Sequence, residues 1–188
     1  MVNALKVENL TVKYFYNEKY NTVINNISFS IYPGEILGII GESGSGKSTI
    51  CKALCGLLPK SAKIEGEVTT GGFSADLNEV KSREEIYKRI GLVFQDSFIS
   101  LNPAKKIIKQ FEEIYVHIKK FTRSKCKKEA ASLLEKLGFK DNEAILTKYP
   151  HELSGGMCQR IAIALVIATS PSVLIADEVT SALDIISI

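Results

Sequence analysis

A glycine-rich loop between an apolar segment and a helical pattern constrains this chain most. The loop occupies residues 41–48, and the apolar run 35–40 before it predicts a short strand. Glycines let successive backbone N–H groups turn inward, so that they form an anion-binding nest at the start of a helix predicted over 47–58. The Lys47 side chain can reach β- and γ-phosphates, and the Ser48 hydroxyl can ligate Mg²⁺. The loop therefore predicts a nucleoside triphosphate site, with contacts from Gly41, Glu42, Ser43, Gly44, Ser45, Gly46, Lys47, Ser48 and Thr49.

Two carboxylates follow a later apolar segment. Residues 173–176 predict a short strand buried on both faces, and Asp177 and Glu178 come directly after it. Ligands of open parallel sheets bind beyond the carboxyl ends of the strands, so Asp177 is placed to hold Mg²⁺ directly or through water. Glu178 can orient and deprotonate an attacking water molecule. The pair predicts that the bound triphosphate is hydrolysed.

The order of the remaining patterns predicts an α/β fold. Strands are predicted over 2–12, 22–32 and 90–94, and helices over 104–137 and 154–168. Gly138 is placed to cap the first of these helices. Strand–turn–helix units with continuously apolar strands predict a parallel sheet covered on both faces, and the helical middle predicts an inserted subdomain.

Positive charge is concentrated in one stretch. The chain has 24 Lys and Arg against 21 Asp and Glu, a formal net charge of +3, which by itself does not indicate a nucleic-acid binder. Residues 104–128 hold nine Lys and Arg and two Glu. This stretch is either a solvated helical face or a docking surface for an acidic partner or for lipid headgroups.

The cysteines and the apolar runs exclude several classes of protein. The four cysteines show no C-x-x-C pair and no adjacent histidine suitable for zinc, which predicts reduced core thiols, with Cys51 and Cys55 on one helical face. The longest apolar run, 161–168, is far shorter than the roughly 20 residues of a membrane-spanning helix. The N-terminus shows no secretory pattern. We therefore expect a soluble, cytoplasmic protein.

A second glycine pair opens a later helix. The sequence Leu-Ser-Gly-Gly-Met over 153–157 combines a serine N-cap with two glycines, which is another helix start suited to phosphate. One chain rarely needs two such sites for one nucleotide, unless the second serves the nucleotide of another subunit. The segment resembles the LSGGQ signature of ATP-binding cassette (ABC) ATPases. The signature residues are Leu153, Ser154, Gly155, Gly156 and Met157.

The resemblance to ABC ATPases covers essentially the whole chain, with the motifs in the family's order. It implies a P-loop NTPase fold, with a RecA-like parallel sheet core, an N-terminal antiparallel β region and an inserted α-helical signature subdomain. Residues 1–188 then form a single domain that is incomplete at its C-terminus. Within it, 1–95 and 161–188 form the β region and core, and about 96–160 the helical subdomain.

The same resemblance assigns further residues to the site. Gln95 takes the Q-loop position, where it senses the γ-phosphate through Mg²⁺ or the attacking water, so that Gln95 and Glu178 are the catalytic pair. Ser48, Gln95 and Asp177 are the implied Mg²⁺ ligands. Tyr14 matches the aromatic residue that stacks on adenine, although a core-packing role is open for it. The D-loop residues are Ser181, Ala182, Leu183 and Asp184.

Two stretches are similar to the ATPases of peptide and nickel importers. Residues 94–103 resemble the FQDPxxSLNP segment of that group, and 150–152 match the Pro-His-Glu before its signature. Residues 57–67 resemble the first of the two ATPases in such importers. The resemblance implies a heterodimer with a second ABC ATPase, bound to two transmembrane permease subunits at the cytoplasmic face of the membrane. An extracytoplasmic binding protein is an indirect partner, and no nucleic acid is expected.

Departures from the family pattern keep other functions open. Ser97, Cys158 and Val179 replace residues that are commoner in the subfamily. The histidines, His117 and His151, both precede the signature, so neither is the switch histidine of the family, and the chain looks truncated. The alternatives are a non-transport ABC ATPase of translation or DNA repair and a nucleotide-binding fragment that does not hydrolyse ATP. The cargo, whether peptide, nickel or a metal–chelator complex, is open.

Overall fold

The computed structural model describes residues 3–94 and 100–177. Its strands are β1 (Leu5–Tyr16), β2 (Lys19–Ile31), β3 (Lys63–Thr70), β4 (Phe73–Asp76), β5 (Ile90–Val93) and β6 (Val173–Ala176). Its helices are α1 (Lys47–Leu54), α2 (Val80–Tyr87), α3 (Ile107–Glu112), the π-helix Glu113–Ile118, α4 (Arg123–Lys136), α5 (Asn142–Thr147), the 3₁₀ turn Pro150–Glu152 and α6 (Gly155–Ala168). The chain divides into a first unit, residues up to 92 with 171–175, and a second unit, which holds the described residues of 93–170 with 176 and 177.

An antiparallel sheet in the order β2-β1-β3-β4 builds much of the first unit. Along β1, the buried residues Leu5, Val7, Leu10 and Val12 form the face that packs into the core. The two-residue turn 17–18 joins β1 to β2 with both residues at positive φ, 49° and 60°, which suits the twist of a tight hairpin. Both strands extend further toward this turn than the sequence predicts. The predicted N-terminal antiparallel region is confirmed.

Helix α1 ends four residues earlier than predicted. Gly56 adopts a positive φ of 73°, and the Leu57 amide donates to the Lys52 carbonyl at 2.8 Å while the Gly56 amide donates to the Ala53 carbonyl at 3.4 Å. This pair of bonds closes the helix as a glycine C-cap does. The prediction was wrong because it assigned the stop to Pro59, whereas the glycine before it already ends the helix.

The predicted strand over 35–40 does not form. The segment has no strand pairing among the described residues, and Ile36 and Ile40 are 95% and 97% exposed. Local apolarity alone cannot make a strand, because a strand is stable only when its N–H and C=O groups find a neighbouring ladder. The described part of the chain supplies no such ladder to this segment.

Strands β5 and β6 form a two-stranded parallel sheet. The Ser172 amide donates to the Arg89 carbonyl at 2.8 Å, and the Asp177 amide donates to the Val93 carbonyl at 3.2 Å, so the two chains run in the same direction. The parallel pairing is confirmed. Burial of β6 on both faces is wrong, since Leu174 is 45% exposed. Among the described residues β6 pairs with β5 alone, which leaves its other edge without a covering strand.

The helices from α3 to α6 surround one core in the second unit, built around Phe111, Leu134 and Ile161. The stretch 104–137 is not one helix, because α3 passes into the π-helix and the non-helical residues 119–122 then separate the π-helix from α4. The Tyr115 ring stacks on that of Phe111, with ring centres 6.0 Å apart, and on that of Phe121 in the non-helical segment, with ring centres 5.6 Å apart. The predicted cap at Gly138 is confirmed by its φ of 82°.

The prediction that the four cysteines are core thiols is confirmed for two of them. Cys126 and Cys158 are buried, whereas Cys51 and Cys55 are half-buried on α1. Burial raises the pKa of the Cys126 and Cys158 thiols, although the nearby Glu112 also raises that of Cys126. Burial, assisted by the nearby Cys51, raises the pKa of Cys55 to about 12. No helix within the described ranges is long and apolar enough to cross a membrane.

Candidate nucleotide site

The loop 41–48 leads directly into α1 in the first unit. A turn closes the loop, where the Ser45 amide donates to the Glu42 carbonyl at 3.2 Å. The first turn of α1 has no acidic residue, and its cap residue Gly46 provides no side-chain hydrogen bond. The first N–H groups of a helix have no partner inside the helix, so this end of α1 is suited to an external anion.

Two glycines give the loop its shape. Gly44 and Gly46 adopt positive φ values of 81° and 99°, which favour glycine over other residues. A Cβ on Gly46 would also lie 2.6 Å from the Cδ1 atom of Ile24, so β2 closely approaches the backbone there. The backbone of the loop therefore requires glycine at these positions, as the sequence predicts for an anion nest.

The Lys47 side chain folds back over the loop. Its Nζ donates to the carbonyl oxygen of Gly41 at 2.7 Å and to that of Glu42 at 2.8 Å. An ammonium has three donors, so one donor remains for a ligand after both carbonyl bonds are made. The neighbouring Ser48 is exposed and Thr49 is half-buried at the start of α1. The predicted contact residues of the loop are thus brought together.

Tyr14 is held near the end of β1. It pairs with Asn21 of β2 and is half-buried against the core of the first unit. Phe15 and Tyr16 are exposed beyond it, and the Phe15 ring packs against that of Tyr20 at 5.2 Å. Tyr14 therefore packs on the core, and its assignment to adenine stays a prediction.

Asp177 lies at the carboxyl end of β6, where the sequence predicts it. The hydrogen bond from its backbone amide to the Val93 carbonyl extends the β5–β6 ladder by one residue, and Asp177 is half-buried. Asp177 belongs to the second unit and the glycine-rich loop to the first. Gln95 lies outside the described residues. So do the predicted site residues that follow Asp177 in the sequence, which are Glu178, Ser181, Ala182, Leu183 and Asp184.

The signature segment forms the start of α6 in the second unit. Ser154 is the N-cap, and its Oγ accepts a hydrogen bond from the Met157 amide at 3.3 Å. Leu153 is buried, whereas Ser154 and Gly155 are exposed and Gly156 and Met157 are half-buried. The predicted serine cap is confirmed. Because the Ser154 oxygen accepts within the helix, its hydroxyl proton can be donated outward to an anionic acceptor.

Two side chains to which the sequence analysis gave no structural role support this region. Arg160 donates through Nη1 to the Leu137 carbonyl at 3.3 Å and packs 4.6 Å from the Phe139 ring, which ties α6 to the end of α4. The Glu152 carboxylate accepts from the Tyr149 amide at 2.6 Å and so fixes the turn before the signature. The spacing of Glu152 three residues after Tyr149 was a visible signal for such a cap.

Gln110 is a third residue that the sequence did not reveal. It is buried on α3, where its Oε1 accepts from the Asn102 amide at 3.0 Å. Its Nε2 donates to the carbonyl oxygens of Asn102 and Lys105, both at 3.1 Å. The side chain therefore holds the loop 102–105. No sequence signal separates this glutamine from the exposed polar residues of a helical pattern.

The sequence profile of the ABC transporter family matches residues 24–181. The chain belongs to the ABC transporter family. Solved cassettes agree with this in fold: the ATP-binding cassette MJ0796, solved as a dimer in a post-hydrolysis state with ADP and phosphate, has a TM-score of 0.76 at 30% identity. That comparison covers 96% of this chain and 76% of the cassette. The predicted P-loop NTPase fold is confirmed.

Several importer ATPases are similar to this ABC family member. The dipeptide transport ATP-binding protein DppD of Lactococcus lactis is 41% identical over 97% of this chain and 53% of its own length. OppD of Escherichia coli, an oligopeptide transport ATP-binding protein, is 37% identical over 96% of this chain and 54% of its own. The metal-staphylopine import system ATP-binding protein CntD of Staphylococcus aureus is 38% identical over 99% of this chain and 68% of its own length. The chain thus spans about half the length of the peptide-transport relatives.

Proposed function

We propose that this chain is the nucleotide-binding part of an ATPase subunit that powers import of peptides or metal complexes. The carrying observation is Lys47, held on the Gly41 and Glu42 carbonyls beside an α1 N-terminus that no side chain caps. The names of the similar proteins support a role in transport, since they are dipeptide and oligopeptide transport proteins and a metal-staphylopine import protein. They favour an importer over a factor of translation or DNA repair.

The loop residues would bind the triphosphate. N–H groups of the loop and of the first turn of α1 would bind the phosphates, and the third donor of Lys47 would bond to a phosphate oxygen. Glu42, Ser43 and Ser45 lie in this loop, and Thr49 follows Ser48 on α1. Tyr14 would stack on the adenine.

We assign Mg²⁺ to three oxygen donors, because this ion prefers hydroxyl, carboxylate and amide oxygens. The exposed Ser48 hydroxyl and the Asp177 carboxylate at the end of β6 are such donors, and Gln95 would be the third. When bound, the ion neutralises phosphate charge. We assign proton removal from the attacking water to Glu178, since a carboxylate following the β6 strand is a suitable general base.

The signature at the start of α6 would bind the ATP of a second ATPase subunit. The exposed Ser154 caps its own helix and keeps a hydroxyl proton for a phosphate oxygen. The similar cassette MJ0796 has been solved as a dimer, which supports this arrangement. We propose a heterodimer with Ser181, Ala182, Leu183 and Asp184 in its D-loop, associated with two permease subunits at the cytoplasmic side of the membrane. A binding protein outside the membrane would deliver the cargo.

Reconstitution of the full-length subunit with its second ATPase and its two membrane subunits tests this proposal. Phosphate release is measured with the binding protein added empty, loaded with a peptide, or loaded with a metal–chelator complex. We expect one loaded form to stimulate hydrolysis and the empty form to stimulate it less. Equal, unstimulated rates in all three would contradict the importer function, and absence of ATP binding would contradict the nucleotide site.

A further inference from the structure

An exposed isoleucine on the second unit is followed along the chain by several positively charged residues. The π-helix ends at Ile118, which is 68% exposed, and the chain continues through Lys119 and Lys120 into α4. The first two turns of helix α4 hold four more cations, of which Lys127 pairs with Glu143. The cationic patch is defined here as Ile118 with Lys119, Lys120, Arg123, Lys125 and Lys128. It lies within the stretch that the sequence leaves open as either a solvated face or a docking surface.

Aromatic packing holds two of these ammonium groups in place. Lys119 Nζ lies 5.6 Å from the centre of the Tyr115 ring and donates to Ser170 Oγ at 2.6 Å. Lys125 Nζ lies 3.8 Å from the centre of the Phe121 ring. The Tyr115 and Phe121 rings stack on each other at 5.6 Å. The two cations are therefore held against a single stack of rings. Lys119 directly follows Ile118 at the end of the π-helix, and Lys125 lies in the first turn of α4.

Three of the nearby carboxylates pair with cations outside the patch. Glu143 pairs with Lys127 at 2.9 Å, and Glu112 pairs with Lys109 at 2.9 Å, neither of which belongs to the patch. Glu113 likewise pairs with Lys105. Within the described ranges, the patch residues Lys120, Arg123 and Lys128 form no salt bridge. The first turn of α4 has no acidic residue. The exposed Glu129 lies near Tyr115, whose pKa is raised by burial and then by this carboxylate, so it offsets one of the five positive charges of the patch.

We propose that the cationic patch docks on the anionic headgroups of a phospholipid membrane, with Ile118 entering the headgroup layer. Exposed lysines around an apolar side chain combine electrostatic attraction to anionic lipid with burial of apolar surface. Four of the five cations are lysines, which act as point charges and suit a diffuse layer of phosphates, whereas bidentate recognition of a protein carboxylate favours arginine. The proposal does not depend on the proposed transport function.

The kind of ring contact argues against single-stranded nucleic acid as the partner. Nucleic-acid surfaces of that kind stack bases on exposed aromatic rings. Here Tyr115 is buried, and the Phe121 ring is covered by the Lys125 ammonium. The rings hold Lys119 and Lys125, whereas Ile118 and the other patch cations are exposed.

Vesicle sedimentation with the full-length protein tests the proposal. Vesicles of phosphatidylcholine mixed with phosphatidylglycerol are compared with vesicles of phosphatidylcholine alone, at increasing salt. We expect binding to the anionic vesicles that weakens with salt. The triple variant Lys120→Gln, Arg123→Gln, Lys128→Gln should weaken binding on the order of 100-fold, because each cation near such a surface contributes about fivefold. Ile118→Ser should weaken binding without changing its salt dependence.

A matched control removes three exposed lysines of the first unit, with Lys19→Gln, Lys60→Gln and Lys81→Gln. This variant has the same net charge as the patch variant and should bind the vesicles nearly as well as the unchanged protein. Equal losses in both triple variants would show a general charge effect and overturn the proposal. So would no binding to anionic vesicles, or a patch variant that keeps vesicle binding but loses its protein partners, which would identify an acidic protein surface instead.

Discussion

The ammonium of Lys47 bonds to the backbone carbonyl of Gly41 at 2.7 Å, six residues earlier in the same loop. A second bond, to the Glu42 carbonyl at 2.8 Å, fixes the side chain from the other position. The lysine is thus oriented by its own loop, so the proposed contact with a phosphate would cost less side-chain entropy. The arrangement makes Lys47 a preorganised cation.

Replacing this cation should weaken nucleotide binding. In the full-length protein we expect Lys47→Ala to raise the Kd for ATP about 10- to 100-fold, because hydrogen bonds to charged groups are worth about 1.5–3 kcal/mol. Isothermal titration calorimetry measures the change. Lys52→Ala, which removes an exposed lysine from the last turn of the same helix, is the control and should leave the Kd unchanged. Equal affinities for Lys47→Ala and the unchanged protein would refute the role of Lys47.

The assignment of the general base makes a separate prediction. Glu178→Gln in the full-length dimer should keep ATP binding but reduce turnover about 10²- to 10⁴-fold, since the amide cannot accept the water proton. Phosphate release and nucleotide binding are measured on the same preparation. A variant that hydrolyses ATP at nearly the unchanged rate would place the base at another residue.

The sequence correctly predicted features that depend only on residues close together along the chain. The serine cap at Ser154 and the glycine cap at Gly138 depend on neighbouring residues, and both are found. The strand predicted over 35–40 failed because apolar residues indicate that a segment needs a partner without specifying which strand provides it. The Gln110 contacts could not be read from the sequence, because they join a helix to a loop that only the fold brings together.

Loss of the Gln110 amide should destabilise the second unit. Gln110→Leu leaves the Asn102 amide and two carbonyl groups without their partner, and we expect about 2 kcal/mol of lost stability. Urea unfolding of the full-length protein measures the shift in midpoint.

The isosteric variant Gln110→Glu distinguishes lost hydrogen bonds from lost packing. Its carboxyl group would face the Asn102 and Lys105 carbonyls, which disfavours the charged form and raises its pKa in the folded state. The stability of this variant, relative to the unchanged protein, should therefore be greater at pH 4 than at pH 7, because a raised pKa contributes stability that is lost as pH rises. An unchanged midpoint for Gln110→Leu, or a pH-independent effect of the glutamate, would contradict the role of the amide.

The thiol of Cys55 should be unreactive in the folded protein. Burial, assisted by Cys51, raises the pKa of Cys55 to about 12 from a model-compound value of 9.0, so almost none of it is thiolate at pH 8. We expect alkylation by iodoacetamide at pH 8 to be much slower in the folded protein than in urea, as followed by mass spectrometry of the tryptic peptides. The stability that this group contributes is complete below pH 9 and is lost as pH rises toward 12. Equal folded and unfolded alkylation rates would refute the burial of this thiol.

The apolar segment 35–40 makes the last prediction, which concerns self-association of the 188-residue polypeptide. Ile36 and Ile40 are 95% and 97% exposed, and the backbone between them pairs with no strand in the described residues. Such a segment offers both apolar surface and unpaired backbone groups to another copy. Light scattering should therefore show association that grows with protein concentration, and Ile36→Glu with Ile40→Glu should reduce it. The control pair Val80→Glu and Ile118→Glu also changes two exposed apolar residues, 55% and 68% exposed, to the same charge. If the control pair reduces association as much, net charge rather than the 35–40 segment sets it, and a monodisperse unchanged polypeptide would remove the premise altogether.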